Sequence, residues 1–334
     1  MSTIVAISTA PGNAGIGIVR LSGKKSIDIV NKIFKPVNSG EVKGYTIKYG
    51  NIVDSKNEVI DEVLVSFFIA PKSYTGENMC EINSHGNNIV LKRIVDLCIE
   101  NGAELAEAGE FTKRAFLNGR IDLLQAESVI DVINSKSELE RKAAIKGLEG
   151  DLSKELKQIK AKILDILTDV EASIDYPEYD IEERSSIQIS KEAEKLAQEL
   201  RKLEDSFERG KLLRDGVSVA IVGKPNAGKS SLLNKILKEE RAIVTDIEGT
   251  TRDTIEEFVN IKGITFKIID TAGIRKSDNE IEKIGIDKSK KALREADLII
   301  AIFDISKELS EEDFEILNSV KEKNCIILLN KKDL

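Results

Sequence analysis

The chain has 334 residues, 41% of them hydrophobic, too long for one ordinary domain and apolar enough for real cores, so about two or three domains are expected. Its 58 acidic and 50 basic residues leave a net charge of −8 without a long basic run, so any contact with RNA has to come from a local patch or a partner protein. Cys80, Cys98 and Cys325 are spaced for neither a zinc site nor a disulfide framework, aromatic residues at 4% exclude a base-stacking platform, and no stretch reads as a signal peptide or a membrane span; the expected setting is the cytoplasm.

Residues 1–118 mix β-like runs at 3–7, 17–21 and 61–69 with helical stretches at 26–34 and 88–101. Breakers at Pro11-Gly12, Gly40, Pro71 and Gly109 separate them, which predicts an α+β domain. From residue 125 to 211, apolar residues recur every three or four positions, as in Ile159, Ile163, Ile166, Val170 and Ile174, then after the Tyr176-Pro177 break in Ala193, Leu196, Leu200 and Leu203. This predicts an α-helical domain over 119–214 whose apolar stripes each need a partner. At Asp215-Gly216 the pattern changes to β-branched runs at 217–222, 264–269, 298–303 and 325–329 separated by helices. Residues 215–334 therefore read as an α/β domain with a doubly wound, mostly parallel sheet.

Gly223-Lys224-Pro225-Asn226-Ala227-Gly228-Lys229-Ser230 fits GxxxxGK[ST] and lies between a β run and an amphipathic helix, the context the motif needs. Its glycines let the main chain curl around phosphates, and the N–H groups of Asn226, Ala227, Gly228, Lys229, Ser230 and Ser231 face them. The helix N-terminus adds positive potential, Lys229 supplies charge for the β- and γ-phosphates, and Ser230 offers a magnesium ligand. Asp270-Thr271-Ala272-Gly273 follows the run 264–269, and Asn330-Lys331-Lys332-Asp333 follows 325–329. Asp333 can accept from the ring N–H and 2-amino group of guanine, whereas adenine would set an acceptor against it, so GTP is favoured over ATP. Asp270 is expected to hold magnesium through water, and Gly273 to sense the γ-phosphate.

Residues 241–253, Arg-Ala-Ile-Val-Thr-Asp-Ile-Glu-Gly-Thr-Thr-Arg-Asp, resemble the first switch of the GTPases related to Era and Der. Ile274 stands where Ras-like proteins carry a water-orienting glutamine, so catalysis has to be organised differently. Three further segments extend the resemblance over essentially the whole chain: 10–23, Tyr74-Thr75-Gly76-Glu77 with Asn83-Ser84-His85-Gly86, and 109–120, Gly-Glu-Phe-Thr-Lys-Arg-Ala-Phe-Leu-Asn-Gly-Arg. With these the chain resembles the bacterial MnmE family of tRNA-modification GTPases. The resemblance implies magnesium on Ser230 and Thr251, and potassium on Asn226, Thr245, Ile247 and Thr250, where a fixed cation would neutralise charge developing at the β–γ bridge. The alternative for Asn226 is a hydrogen bond to loop backbone. Glu282 aligns with a glutamate that positions water in the family; its alternative is a solvated acid in a helix first turn.

The resemblance further implies a dimerising N-terminal domain that binds 5-formyltetrahydrofolate through Arg20, Glu81 and Arg120. Read without it, each of these is a surface ion-pair residue. It also implies a flavoprotein partner, MnmG, acting with the chain on the wobble uridine of tRNA. His85, the single histidine, is expected to be structural or pocket-lining. Family members continue past Leu334 to a C-terminal cysteine motif, and none of the three cysteines here takes that place. The expectation is a truncated chain with exposed apolar stripes, and its alternative function is a non-catalytic folate-binding dimerisation module with a defective nucleotide site.

Overall fold

The computed structural model describes residues 1–38, 40–175, 186–239, 256–270, 294 and 296–333. They form two compact units, Met1–Val129 and Ile130–Leu334.

The first unit is a seven-stranded sheet carrying helices on one face. Its strands are β1 (Ile4–Ile7), β2 (Ala14–Ser22), β3 (Phe34–Pro36), β4 (Thr46–Val53), β5 (Val59–Phe68), β6 (Met79–Gly86) and β7 (Glu104–Leu105), in the order β3-β4-β5-β6-β2-β1-β7. All neighbours are antiparallel except β1 and β7. The two-residue side-chain period sends Val63, Val65 and Phe67 of β5 and Cys80 and Ile82 of β6 into the core. There they meet Ile29, Val30 and Ile33 of α1 (Ser26–Ile33) and Leu91, Ile94, Leu97 and Cys98 of α2 (Asn88–Glu100), spaced three and four apart along each helix. The Asn87 side chain caps α2 by accepting the Ile89 N–H at 2.9 Å. On the opposite face Ile47, Tyr49 and Leu64 are exposed. Helix α3 (Glu110–Leu117) follows, then α4 (Leu123–Asn134).

The second unit joins helices α5 (Glu138–Leu148), α6 (Asp151–Asp175) and α7 (Ser186–Asp215) to a five-stranded sheet. Its strands are β8 (Val217–Val222), β9 (Glu256–Ile261), β10 (Ile264–Asp270), β11 (Leu298–Asp304) and β12 (Cys325–Asn330), in the order β12-β11-β8-β10-β9, and only the β9–β10 hairpin is antiparallel. Helices α8 (Lys229–Glu239) and α9 (Glu311–Val320) complete it. Leu233 of α8 packs with Ile221, Val259, Ile268 and Ile302, while Val320 of α9 packs with Val222, Ile299, Ala301 and Phe303. These are the two apolar sides of a doubly wound sheet.

The bundle stripe is only partly covered. Ile159 and Leu196 are buried, but Ile163 is 45% exposed and Ile174 70%. Where the helices do meet the sheet, the contact is specific. The Thr265 hydroxyl on β10 donates to the buried Glu140 carboxylate of α5 at 2.5 Å, and Lys136 Nζ stands 3.2 Å from the centre of the Phe258 ring on β9.

Candidate nucleotide site and N-terminal cleft

The parallel strands β8, β10, β11 and β12 end on one edge of the sheet, and the motif residues sit at those ends. Residues 223–228 leave β8 and enter α8 at Lys229. Gly223, at φ +156°, lies so close to β11 that a Cβ would stand 2.5 Å from the Ile302 carbonyl oxygen. Gly228, at φ +108°, has the Asn330 carboxamide where its Cβ would go, so neither position accepts a side chain. Asn226 takes a left-handed φ of +61° and is exposed. Lys229 Nζ donates to the Gly223 carbonyl at 2.5 Å and the Lys224 carbonyl at 2.8 Å, which sets its ammonium against the first turn of the loop. Ser230 and Ser231 occupy the first turn of α8 with exposed side chains.

The motif at residues 330–333 is tied to this loop. Asn330 Nδ2 donates to the Ala227 carbonyl at 2.8 Å, and Lys331, at φ +63°, pairs with Asp304 at the end of β11 at 2.6 Å. The Lys331 ammonium, helped by the hydroxyl and N–H of Ser306, holds Asp304 down to about 2. Asp333 is exposed beside them. A groove of about 320 Å³ runs between Gly228, Ser231 and Lys235 on one side and Leu328, Leu329 and Asn330 on the other. Asp304 is a residue that sequence reasoning missed; an acid ending a β-branched run was its one local sign. Thr245, Ile247, Thr250, Thr251, Thr271, Ala272, Gly273 and Glu282 lie outside the described residues, and of Asp270 only the main chain, at the end of β10, is described.

In the first unit, Arg20 on β2 and Glu81 on β6 are direct cross-strand partners, with Arg20 Nε and Nη2 both 2.8 Å from Glu81 Oε1. The ion pair that the residues alone suggested is thus present. It does not stand on an open surface. The Arg20 guanidinium lies 5.6 Å from the Tyr74 ring centre and 5.5 Å from that of Phe111, and the Arg120 guanidinium lies 5.0 Å from Tyr74. Glu81, Arg120 and Tyr74 line one cleft of about 380 Å³ together with Phe68, Met79 and Lys72. Arg120, a carboxylate paired with Arg20, and aromatic faces suit a flat, polar-edged heterocycle that carries carboxylates.

A polar network holds the cleft wall. Arg114 of α3, 4% exposed, donates from Nη1 to the Ser2 carbonyl at 2.7 Å and Glu77 Oε2 at 3.1 Å, and from Nη2 to Glu110 Oε1 at 2.8 Å. Burial works against its charge, but the two carboxylates outweigh burial and raise its pKa. The Ser22 hydroxyl donates to Glu77 Oε2 at 2.8 Å and sits 2.7 Å from that of Thr75, and the Tyr74 hydroxyl lies 2.8 Å from that of Thr112. Sequence reading quoted these residues as signature segments without giving them this role. His85 Nδ1 pairs with Asp61 at 2.8 Å; that hydrogen bond and the adjacent negative charge raise the imidazole pKa, and the exposed ring is not part of the cleft lining. Burial pushes the Cys80 and Cys98 thiols up to about 12, which leaves them unreactive.

Comparison with known proteins bears on both sites. The family model described as GTP-binding protein TrmE N-terminus matches residues 3–120, and that described as 50S ribosome-binding GTPase matches 218–331. The tRNA modification GTPase MnmE of Clostridioides difficile is 55% identical over 99% of this chain and 73% of its own length. The chain belongs to the MnmE family of tRNA modification GTPases. MnmE proteins of Thermoanaerobacter sp. and Acetivibrio thermocellus are 54% and 51% identical over the same shares. As a member of the MnmE family the chain is a GTP-binding hydrolase, and its phosphate loop and the motif at 330–333 are joined by the Asn330–Ala227 hydrogen bond. Among the described residues no helix is long and apolar enough to cross a membrane.

Proposed function

We propose that this GTPase hydrolyses GTP, stimulated by potassium, to drive modification of the tRNA wobble uridine with the flavoprotein MnmG. The product carries a carboxymethylaminomethyl-type group at C5, and 5-formyltetrahydrofolate in the N-terminal cleft supplies the one-carbon unit. The observation that carries this reading is the coexistence, in one chain, of a phosphate loop and a cleft lined by Glu81, Arg120 and Tyr74, with Arg20 paired to Glu81 and stacked near Tyr74. The Glu81 carboxylate would accept a pterin edge, and the arginines would take the ligand's carboxylates.

At the nucleotide, Lys229 stabilises negative charge as the bond between the γ-phosphorus and the β–γ bridging oxygen breaks, Glu282 positions the attacking water, and Asp333 reads guanine. Ser230 at the start of α8 and Thr251 fit magnesium as hydroxyl ligands. The left-handed, exposed Asn226 offers a carboxamide oxygen to potassium, together with Thr245, Ile247 and Thr250. When bound, the two cations neutralise charge on the phosphates. Three domains, 1–118, 119–214 and 215–334, divide these tasks in the cytoplasm. The exposed Ile47, Tyr49 and Leu64 on the open face of the first sheet support a homodimer formed through the N-terminal domain. Titration calorimetry with 5-formyltetrahydrofolate tests the cleft: binding to the wild type, lost in Arg20→Ala and Glu81→Gln with the melting temperature kept, is expected. Equal binding by all three proteins would contradict the assignment.

A further inference from the structure

The phosphate loop has a second attachment, at a position where its motif specifies no side chain. Lys224 Nζ lies 2.5 Å from Asp313 Oδ2 and 2.8 Å from the Ser310 hydroxyl. Both partners belong to the start of α9. Asp313 Oδ2 also accepts the Ser310 N–H at 2.9 Å, which closes a capping box on that helix. The Asp313 side chain is buried, so its charge is held by the helix start on one side and by Lys224 on the other. Lys224 is the largest of the influences that keep the Asp313 carboxyl below the usual carboxylate range. The anchor is rigid, because Val320, Ile316 and Leu317 of α9 pack on Ile299, Ala301 and Phe303 of β11. The Lys224 main chain, in turn, accepts the Lys229 ammonium.

We propose that Lys224, held by Asp313 and Ser310, is a positioning residue that fixes the first half of the phosphate loop for the γ-phosphate of GTP. Residues 228–230, at the N-terminus of α8, form the half that takes the α- and β-phosphates. With Asn226 at the β–γ bridge, as proposed above, the half upstream through Pro225 faces the γ end; the Lys229 ammonium bonds its Gly223 and Lys224 carbonyls, and the Lys224 side chain ties it to α9. A loosened tether therefore weakens the grip on GTP more than on GDP, whereas loss of folded protein weakens both alike. The proposal rests on guanine nucleotide occupying this loop, which GDP binding by the wild type tests separately.

The test is the affinity of the full chain for GDP and for a non-hydrolysable GTP analogue, with the melting temperature of each variant. Lys224→Met is expected to weaken the GTP analogue about tenfold and GDP less than about threefold. Lys224→Arg restores the selectivity, and Lys224→Met combined with Asp313→Asn is no worse than Lys224→Met alone. Equal changes for the two nucleotides, including none, would overturn the proposal. Should Lys224→Met fail to fold, Ser310→Ala, which removes the hydroxyl that Lys224 and Asp313 share but keeps the Lys224–Asp313 ion pair, decides it: a smaller loss confined to the GTP analogue supports the tether, and any other pattern rejects it.

Discussion

Replacing Arg114 by methionine removes the cation from a buried cluster while nearly preserving side-chain volume. Four contacts disappear, two to Glu110 Oε1 and one each to Glu77 Oε2 and the Ser2 carbonyl. Two carboxylates lose their counter-charge, at a cost of about 3–5 kcal/mol. For a unit spanning Met1–Val129 the unfolding entropy is about 0.27 kcal/mol/K, so the melting transition should fall by about 11–18 °C. Differential scanning calorimetry of the wild type and Arg114→Met measures it directly. Arg114→Lys keeps the charge but not the fork that reaches all three oxygens at once, so it should fall between them. Combining Arg114→Met with Glu77→Gln and Glu110→Gln should recover part of the loss, because the stranded charges are then gone. A fall of less than about 3 °C for Arg114→Met would refute the view that this network holds the cleft wall.

Glu110 gives a pH dependence with a definite sign. Burial pushes its pKa up, but the Glu107 N–H and Arg114 outweigh burial and hold it below the ordinary 4.5, so its contribution is present above that pH and lost as pH falls through the lowered value. The first unit's melting temperature should drop on acidification below about pH 4.5, and Glu110→Gln should flatten part of that drop. Thr265→Val strands one oxygen of the Glu140 carboxylate at a cost of about 1.5–3 kcal/mol, seen as faster amide exchange in β10; wild-type exchange rates would count against the contact. Gly228→Ala forces a Cβ into the Asn330 carboxamide at a left-handed φ, so GDP affinity should fall by about tenfold or more, measured with a fluorescent nucleotide.

Legibility in the sequence followed the range of the interaction. Strands β8, β10, β11 and β12 were readable because each is a short run rich in β-branched and aliphatic residues, even where, as in the edge strand β12, much of it is exposed, and the loop motif because its glycines satisfy local main-chain needs. Strand β6 was not, since Glu81, Asn83 and His85 point away from the core and dilute the signal of Cys80 and Ile82. The bundle stripe was read as needing a partner along its length, and contacts among α5, α6 and α7 cover Ile159 and Leu196 and not Ile163 or Ile174. Partnerships between distant residues carry no periodic trace: Lys224 with Ser310 is separated by 86 positions and Thr265 with Glu140 by 125. Arg20, Glu81 and Arg120 had no local mark at all; the family resemblance named them, and the sheet register pairs the first two across the strands.

The most direct measurement is the rate of GTP hydrolysis by the purified protein in potassium chloride and in sodium chloride at equal ionic strength, with Asn226→Ala and Lys229→Ala alongside. The account predicts faster turnover in potassium, an advantage lost in Asn226→Ala, and no turnover in Lys229→Ala. Equal rates in the two salts would contradict the potassium site, and undiminished hydrolysis in Lys229→Ala would contradict the loop as the place where GTP is cleaved.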